Sequence, residues 1–179
     1  MRKNSIKNAS ISEQAHAIGV YTVELFDKHG KLKWREEFPN LVTTQGKNFL
    51  LDNGLAGSAY TAAFYLGLIS SVTYTAIVAG DTAASHTGWT EAGATNAPTY
   101  TGPRKTAVFS AASAGAKALS SPLSFTFTGA GTIKGCFLST IATIDATTGF
   151  LYSAGLFTGG DRAGIVSGDI INVNYNTSL

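Results

Sequence analysis

The chain has 179 residues and a formal net charge of +2, and only 13% of it is charged, about half the share in an average soluble domain. Ala, Gly, Thr and Ser together supply 83 of the 179 residues, which argues against a helical bundle or coiled coil. No apolar run approaches the roughly 18 residues of a membrane helix, and the small net charge lacks the clustered basic face of a nucleic-acid binder.

The charge is unevenly placed. Of the 24 charged residues, 13 lie in the first 50 positions. Residues 1–16 mix Arg2, Lys3 and Lys7 with isolated Ile6 and Ile11, too few apolar groups to build a core. They read as a polar N-terminal arm, and the start lacks the apolar stretch of a secretory signal. Residues 17–179 read as a single domain.

Ala17 to Asp27 alternates Tyr21, Val23 and Leu25 with Thr22 and Glu24, the period of a half-buried strand. Asp27-Lys28-His29-Gly30 makes a turn, and Lys31 to Glu37 returns as a second strand that Pro39 and Asn40 end. Thr44 to Asn53 is the expected helix, with Thr44 as its cap and Gly54 just past its end. Phe64 to Ile69 is a short apolar strand that reads as buried on both faces. A long Gly/Ala/Thr-rich stretch runs from Ala76 to Pro98. Ala107–Ser110, Ala116–Leu119, Leu123–Thr128, Ile133–Ser139, Phe150–Phe157 and Ile170–Tyr175 then read as strands. About nine strands, one helix and no βαβ pattern predict an all-β fold, an antiparallel β-sandwich or jelly roll.

The densest polar cluster is Asp81-Thr82-Ala83-Ala84-Ser85-His86-Thr87-Gly88-Trp89-Thr90-Glu91. A hydrolytic triad needs a nucleophile, a His and an acid converging from separate elements; here Ser85 and His86 are adjacent. A metal needs three or more ligands, and His86 alone is a good one. The cluster therefore reads as structural, with Asp81 capping a one-turn helix through Ala84 and Ser85, and with Asp81, His86, Trp89 and Glu91 as loop anchors. Glu36 and Glu37 point to opposite faces of a strand and read as a solvated edge. His16 and His29 read as exposed, Cys136 as a buried apolar filler, and Gly159-Gly160-Asp161-Arg162 as a turn. No catalytic residue, metal or cofactor is expected.

The segment Asn40-Leu41-Val42-Thr43-Thr44-Gln45-Gly46-Lys47-Asn48-Phe49-Leu50-Leu51-Asp52 resembles one found in small virion proteins of tailed bacteriophages. Phe64 to Ile69, Asp81 to His86, Gly88 to Glu91, Pro103-Arg104, Ile133 to Ser139, Leu151-Tyr152-Ser153 and Gly168-Asp169-Ile170 continue the likeness in order. The resemblance covers about residues 35 to 179. It implies a non-enzymatic virion protein of the head decoration (cement) type, bound to the major capsid protein on the outer surface of the capsid, as a dimer or trimer. Contact with neither nucleic acid nor membrane is implied. A tail-fibre or receptor-binding module is the alternative, with an exposed aromatic patch expected from Tyr60, Tyr74 and Tyr100. Residues 1–16, including Arg2, Lys3, Ile6, Lys7 and Ile11, are the expected capsid-contacting arm.

Overall fold

The computed structural model describes residues 16–55 and 64–178. Residues 1–15 of the expected arm and Tyr60 lie outside the described residues. Among the described residues eleven antiparallel strands form one sheet that folds over on itself. One half contains β1 (Ile18–Phe26), most of β2 (Leu32–Val42), β6 (Ala116–Ala118), β7 (Leu123–Thr126) and β11 (Ile170–Ser178). The other contains β3 (Phe64–Ser70), β4 (Thr90–Glu91), β5 (Lys105–Ala107), β8 (Gly131–Ser139), β9 (Leu151–Leu156) and β10 (Arg162–Ile165). The fold is thus all-β and sandwich-like, with one short helix, α1 (Thr44–Leu55).

The sheet turns its corner at β2. Residues up to Pro39 pair with β1, and Asn40 to Val42 pair with β9. The strand expected over Lys31 to Glu37 is therefore not ended by Pro39 and Asn40 but runs on to Val42. The strand survives because Pro39 stands where it changes partner, a place that tolerates a missing donor.

The two halves face each other across the main core. β1 contributes Tyr21, Val23 and Leu25, β11 contributes Ile171, Val173 and Tyr175, and β3 and β8 contribute Leu66, Leu68, Cys136 and Leu138. A polar tie crosses this core, where the Tyr21 and Ser153 hydroxyls meet at 3.3 Å. Ile69 and Phe137 point the other way, into a second cluster with Trp89, Leu151 and Ala154. The central strands β3 and β8 are therefore covered on both faces, and this is why their sequences are nearly continuous apolar runs rather than alternating ones.

Several local expectations change. The cap of α1 is Thr43, whose Oγ1 accepts from the Gly46 N–H at 3.0 Å and donates to the Leu151 carbonyl at 2.5 Å. The helix runs through Gly54 to Leu55. Gly46 lets the first helical turn lie directly against the Tyr152 carbonyl, which a Cβ would strike. The expected strand at Ala107–Ser110 is shifted to Lys105–Ala107, and Arg162–Ile165, expected to begin as a turn, pairs with β8.

The buried tyrosines give the fold an alkaline limit. Burial and the neighbouring Tyr152 push the Tyr175 hydroxyl up to about 12, and burial raises Tyr21 well above its ordinary value of 10.0. Both stay protonated in the folded chain at pH values where the unfolded chain has begun to ionise. Their contribution is complete below pH 10; that of Tyr175 is lost as pH rises toward 12, and that of Tyr21 declines as pH rises above 10. Each group then lowers stability by about 1.4 kcal/mol per pH unit. Urea unfolding measured across this range will show the decline, and Tyr175→Phe will make it shallower; a flat profile would contradict the burial of these hydroxyls.

Candidate functional site

The polar cluster expected around Asp81–Glu91 forms the end of a loop that leaves β3 at Ser70 and returns at β4. It crosses the outer side of β3, β8 and β9. Trp89 pins it there: the indole is 2% exposed and its ring centroid lies 5.1 Å from that of Phe137. A buried indole N–H needs an acceptor. Asp81 Oδ2 provides it at 3.0 Å and also accepts from the Val78 N–H at 3.0 Å. Asp81 therefore does not cap a one-turn helix. That turn is closed by Thr82, whose Oγ1 accepts from the Ser85 N–H at 3.0 Å. His86 stacks on Trp89 with ring centroids 4.1 Å apart, and its Nδ1 meets the Trp89 carbonyl at 3.1 Å.

Glu91 sits on β4 and is fully committed. Arg104 Nε donates to Oε1 at 2.8 Å and Nη2 to Oε2 at 2.6 Å, a bidentate pair whose side chains are 4% and 3% exposed. The Asp145 N–H adds a third bond to Oε2 at 2.7 Å. Arg104 spends its remaining nitrogen on the Ser139 hydroxyl and the Ile141 carbonyl, and its guanidinium lies over the Phe137 ring. Asp145 holds a left-handed backbone (φ 60°), and its carboxylate accepts from Thr95 Oγ1 at 2.7 Å. The pair thus ties β4, the 101–105 segment and the 141–149 loop together. Charge-assisted bidentate bonds of this kind are strong and orientation-specific.

The Tyr100 hydroxyl lies buried nearby without a hydrogen-bond partner. Burial, and then the Glu91 carboxylate, raises its pKa far above the ordinary value. The exposed aromatic patch expected from Tyr60, Tyr74 and Tyr100 is therefore not formed, because Tyr100 packs edge-on against Phe125 inside the main core. Tyr74 lies half-buried beneath Lys134.

A shallow cleft of about 320 Å³ opens above this cluster, lined by His86, Glu91, Asn96, Asp145 and Thr147 among others. Its two acids and its histidine are each engaged within the protein, Glu91 by Arg104, Asp145 by Thr95 and His86 by the Trp89 carbonyl. A general base needs a lone pair directed at substrate, and both Glu91 oxygens point at Arg104 and a backbone N–H. Among the described residues no group of three or more His, Cys, Asp or Glu is placed to hold a metal ion. Cys136 is fully buried, and burial raises its thiol pKa, which disfavours the reactive thiolate.

Among the ion pairs that sequence reasoning missed are Glu91–Arg104 and Glu36–Arg162. Arg104 was singled out only as part of a likeness, yet residues 53–104 contain just three charges, Asp81, Glu91 and Arg104. An isolated acid and base in such a stretch are the signal that would have found the pair. Glu36 is the second miss. It is not a solvated edge: it accepts from Thr158 Oγ1 at 2.8 Å and the Gly159 N–H at 2.9 Å, and it pairs with Arg162, whose guanidinium covers Trp34. His16 and His29 are exposed.

No family model matches the chain, and neither the curated proteins nor the solved structures contain a match.

Proposed function

We propose that this chain is a non-enzymatic virion structural protein of a tailed bacteriophage, of the head decoration type, that binds the major capsid protein lattice on the outer surface of the head. The sequence resemblance raises the idea, and one structural observation carries it. The outer face of the β7–β11–β1–β2 half presents short uncharged side chains in register, with Thr22 opposite Asn174 and Asn172 opposite Ser124. The charges beside them on β1 and β2 are paired within the face, Arg35 reaching Glu24 at 3.4 Å and Glu37 at 2.9 Å, which leaves a single net negative charge. Burying such a surface desolvates few unpaired charges, which lowers a main cost of association.

Repetition on a lattice does the rest. A subunit that touches two capsid proteins gains its second contact intramolecularly, so modest contacts suffice. A dimer or trimer would match capsid symmetry axes, and the basic residues of the arm, Arg2, Lys3 and Lys7, would add a further contact to a neighbour. The role proposed for Asp81, His86, Trp89 and Glu91 is to keep the body rigid.

Counting copies per purified particle by quantitative mass spectrometry tests the reading. Hundreds of copies on the head are expected. A handful located at the tail would overturn it in favour of a tail-fibre or receptor-binding module.

A further inference from the structure

A groove between α1 and the start of the loop cluster shares Thr82 with that cluster and is otherwise lined by residues the cluster does not use. It has a volume of about 740 Å³ and is lined by one face of α1 together with Gly80, Thr82 and Phe150. That volume falls within the range of small-molecule sites. From the geometry we infer that this groove binds a neutral carbohydrate. The inference stands independently of the virion reading.

The lining selects the ligand class. Phe49 and Phe150 place their rings 6.1 Å apart at an angle of 49°, forming an apolar corner. Phe150 is 40% exposed, a large ring left open at the groove. Beside this corner α1 presents Asn48 and Asp52 at helical spacing, both exposed. One face of a pyranose ring carries C–H groups suited to an aromatic surface, and its rim carries hydroxyls suited to an amide and a carboxylate.

Other ligands fit worse. Among the described residues Asp52 is the only ionisable group in the lining and no cation stands with it there, so an anion meets repulsion from that carboxylate. A single carboxylate is too few ligands for a metal ion. A wholly apolar molecule would leave the polar wall unpaired. The groove is also held in shape, because the Thr44 N–H donates to the Ala79 carbonyl at 2.9 Å and Gln45 Oε1 accepts from the Leu151 N–H at 2.8 Å. The walls thus join the helix to the loop and to β9 before any ligand arrives.

The test uses the full chain and saturation-transfer NMR with millimolar maltotriose, cellotriose and triacetylchitotriose. At least one is expected to receive saturation and to give a titratable affinity. Phe150→Ala will weaken that affinity about tenfold, the size of one lost aromatic contact. Asp52→Ala will weaken it and Asp52→Asn will retain it, since the ligand is neutral. Val166→Ala, on the β10–β11 turn, will leave it unchanged. Asp52 is exposed, so its variants remain folded even if Phe150→Ala does not. No transfer to any of the three sugars, affinity indifferent to both Phe150→Ala and Asp52→Ala, or tighter binding of a sulfated trisaccharide would overturn the proposal. Copy number on the particle is a separate measurement, so failure here leaves the virion reading standing.

Discussion

Replacing Arg104 by methionine lowers the free energy of unfolding by about 3–5 kcal/mol. The guanidinium is 4% exposed and makes four side-chain bonds, two of them to Glu91. Its removal leaves a carboxylate that is 3% exposed with only the Asp145 N–H beside it. Methionine keeps the volume, so the loss reports the unpaired charge rather than a cavity. Natural domains have only about 5–15 kcal/mol of stability, so much of the reserve goes. Urea denaturation measures it. Because the pair is buried, the loss will be the same at low and high salt, unlike that of a surface bridge. A change below 1 kcal/mol, or one that high salt abolishes, would show that the pair is solvated.

Trp89→Ala is expected to cost about as much, 3–5 kcal/mol, the usual range for emptying a buried aromatic site (about 3–5 kcal/mol). Trp89 is the centre of the second cluster, where it meets Ile69, Phe137 and Leu151. Its loss also removes the partner that His86 stacks on and a donor to Asp81. The consequence is local as well as global. The 71–89 loop loses its anchor while the main core on the other face of β3 and β8 keeps its contacts. Limited proteolysis will therefore cut the variant within this loop and spare the wild-type chain. Trp89→Phe keeps ring packing on Phe137 and will cost less. A Trp89→Ala chain that melts like wild type and resists cleavage would contradict the anchor.

The strands of this fold were largely legible, and the places where they were not share a physical cause. Tyr21, Val23 and Leu25 alternate with the half-buried Thr22 and Glu24 because β1 has one face turned toward solvent, and Leu123–Thr126 alternates in the same way. Phe64–Ser70 reads as doubly buried because Trp89 and its loop cover the second face. Pro39 misled because a missing N–H ends a strand only where a ladder bond is required, and at the partner switch none is. Thr43 and Thr44 are adjacent hydroxyl residues; which one caps α1 is decided by the Leu151 carbonyl, a contact more than a hundred residues away. The loop cluster was visible as a concentration of polar residues, and its partners were not. Arg104 and Asp145 reach Glu91 from 13 and 54 positions along the chain, and local periodicity carries no record of such pairings. The same is true of the groove beside α1, whose two rings come from Phe49 and Phe150.

The account of the loop cluster turns on one claim, that Glu91 and Arg104 hold each other and the body, with both side chains committed to that pair. A double-mutant cycle of Glu91→Gln and Arg104→Met measures this directly. Each single variant buries an unpaired charge, and the double variant buries none. The double variant is predicted to be more stable than the sum of the two losses by about 2 kcal/mol or more, whereas additivity within about 0.5 kcal/mol would mean that the two side chains act independently and would contradict the account.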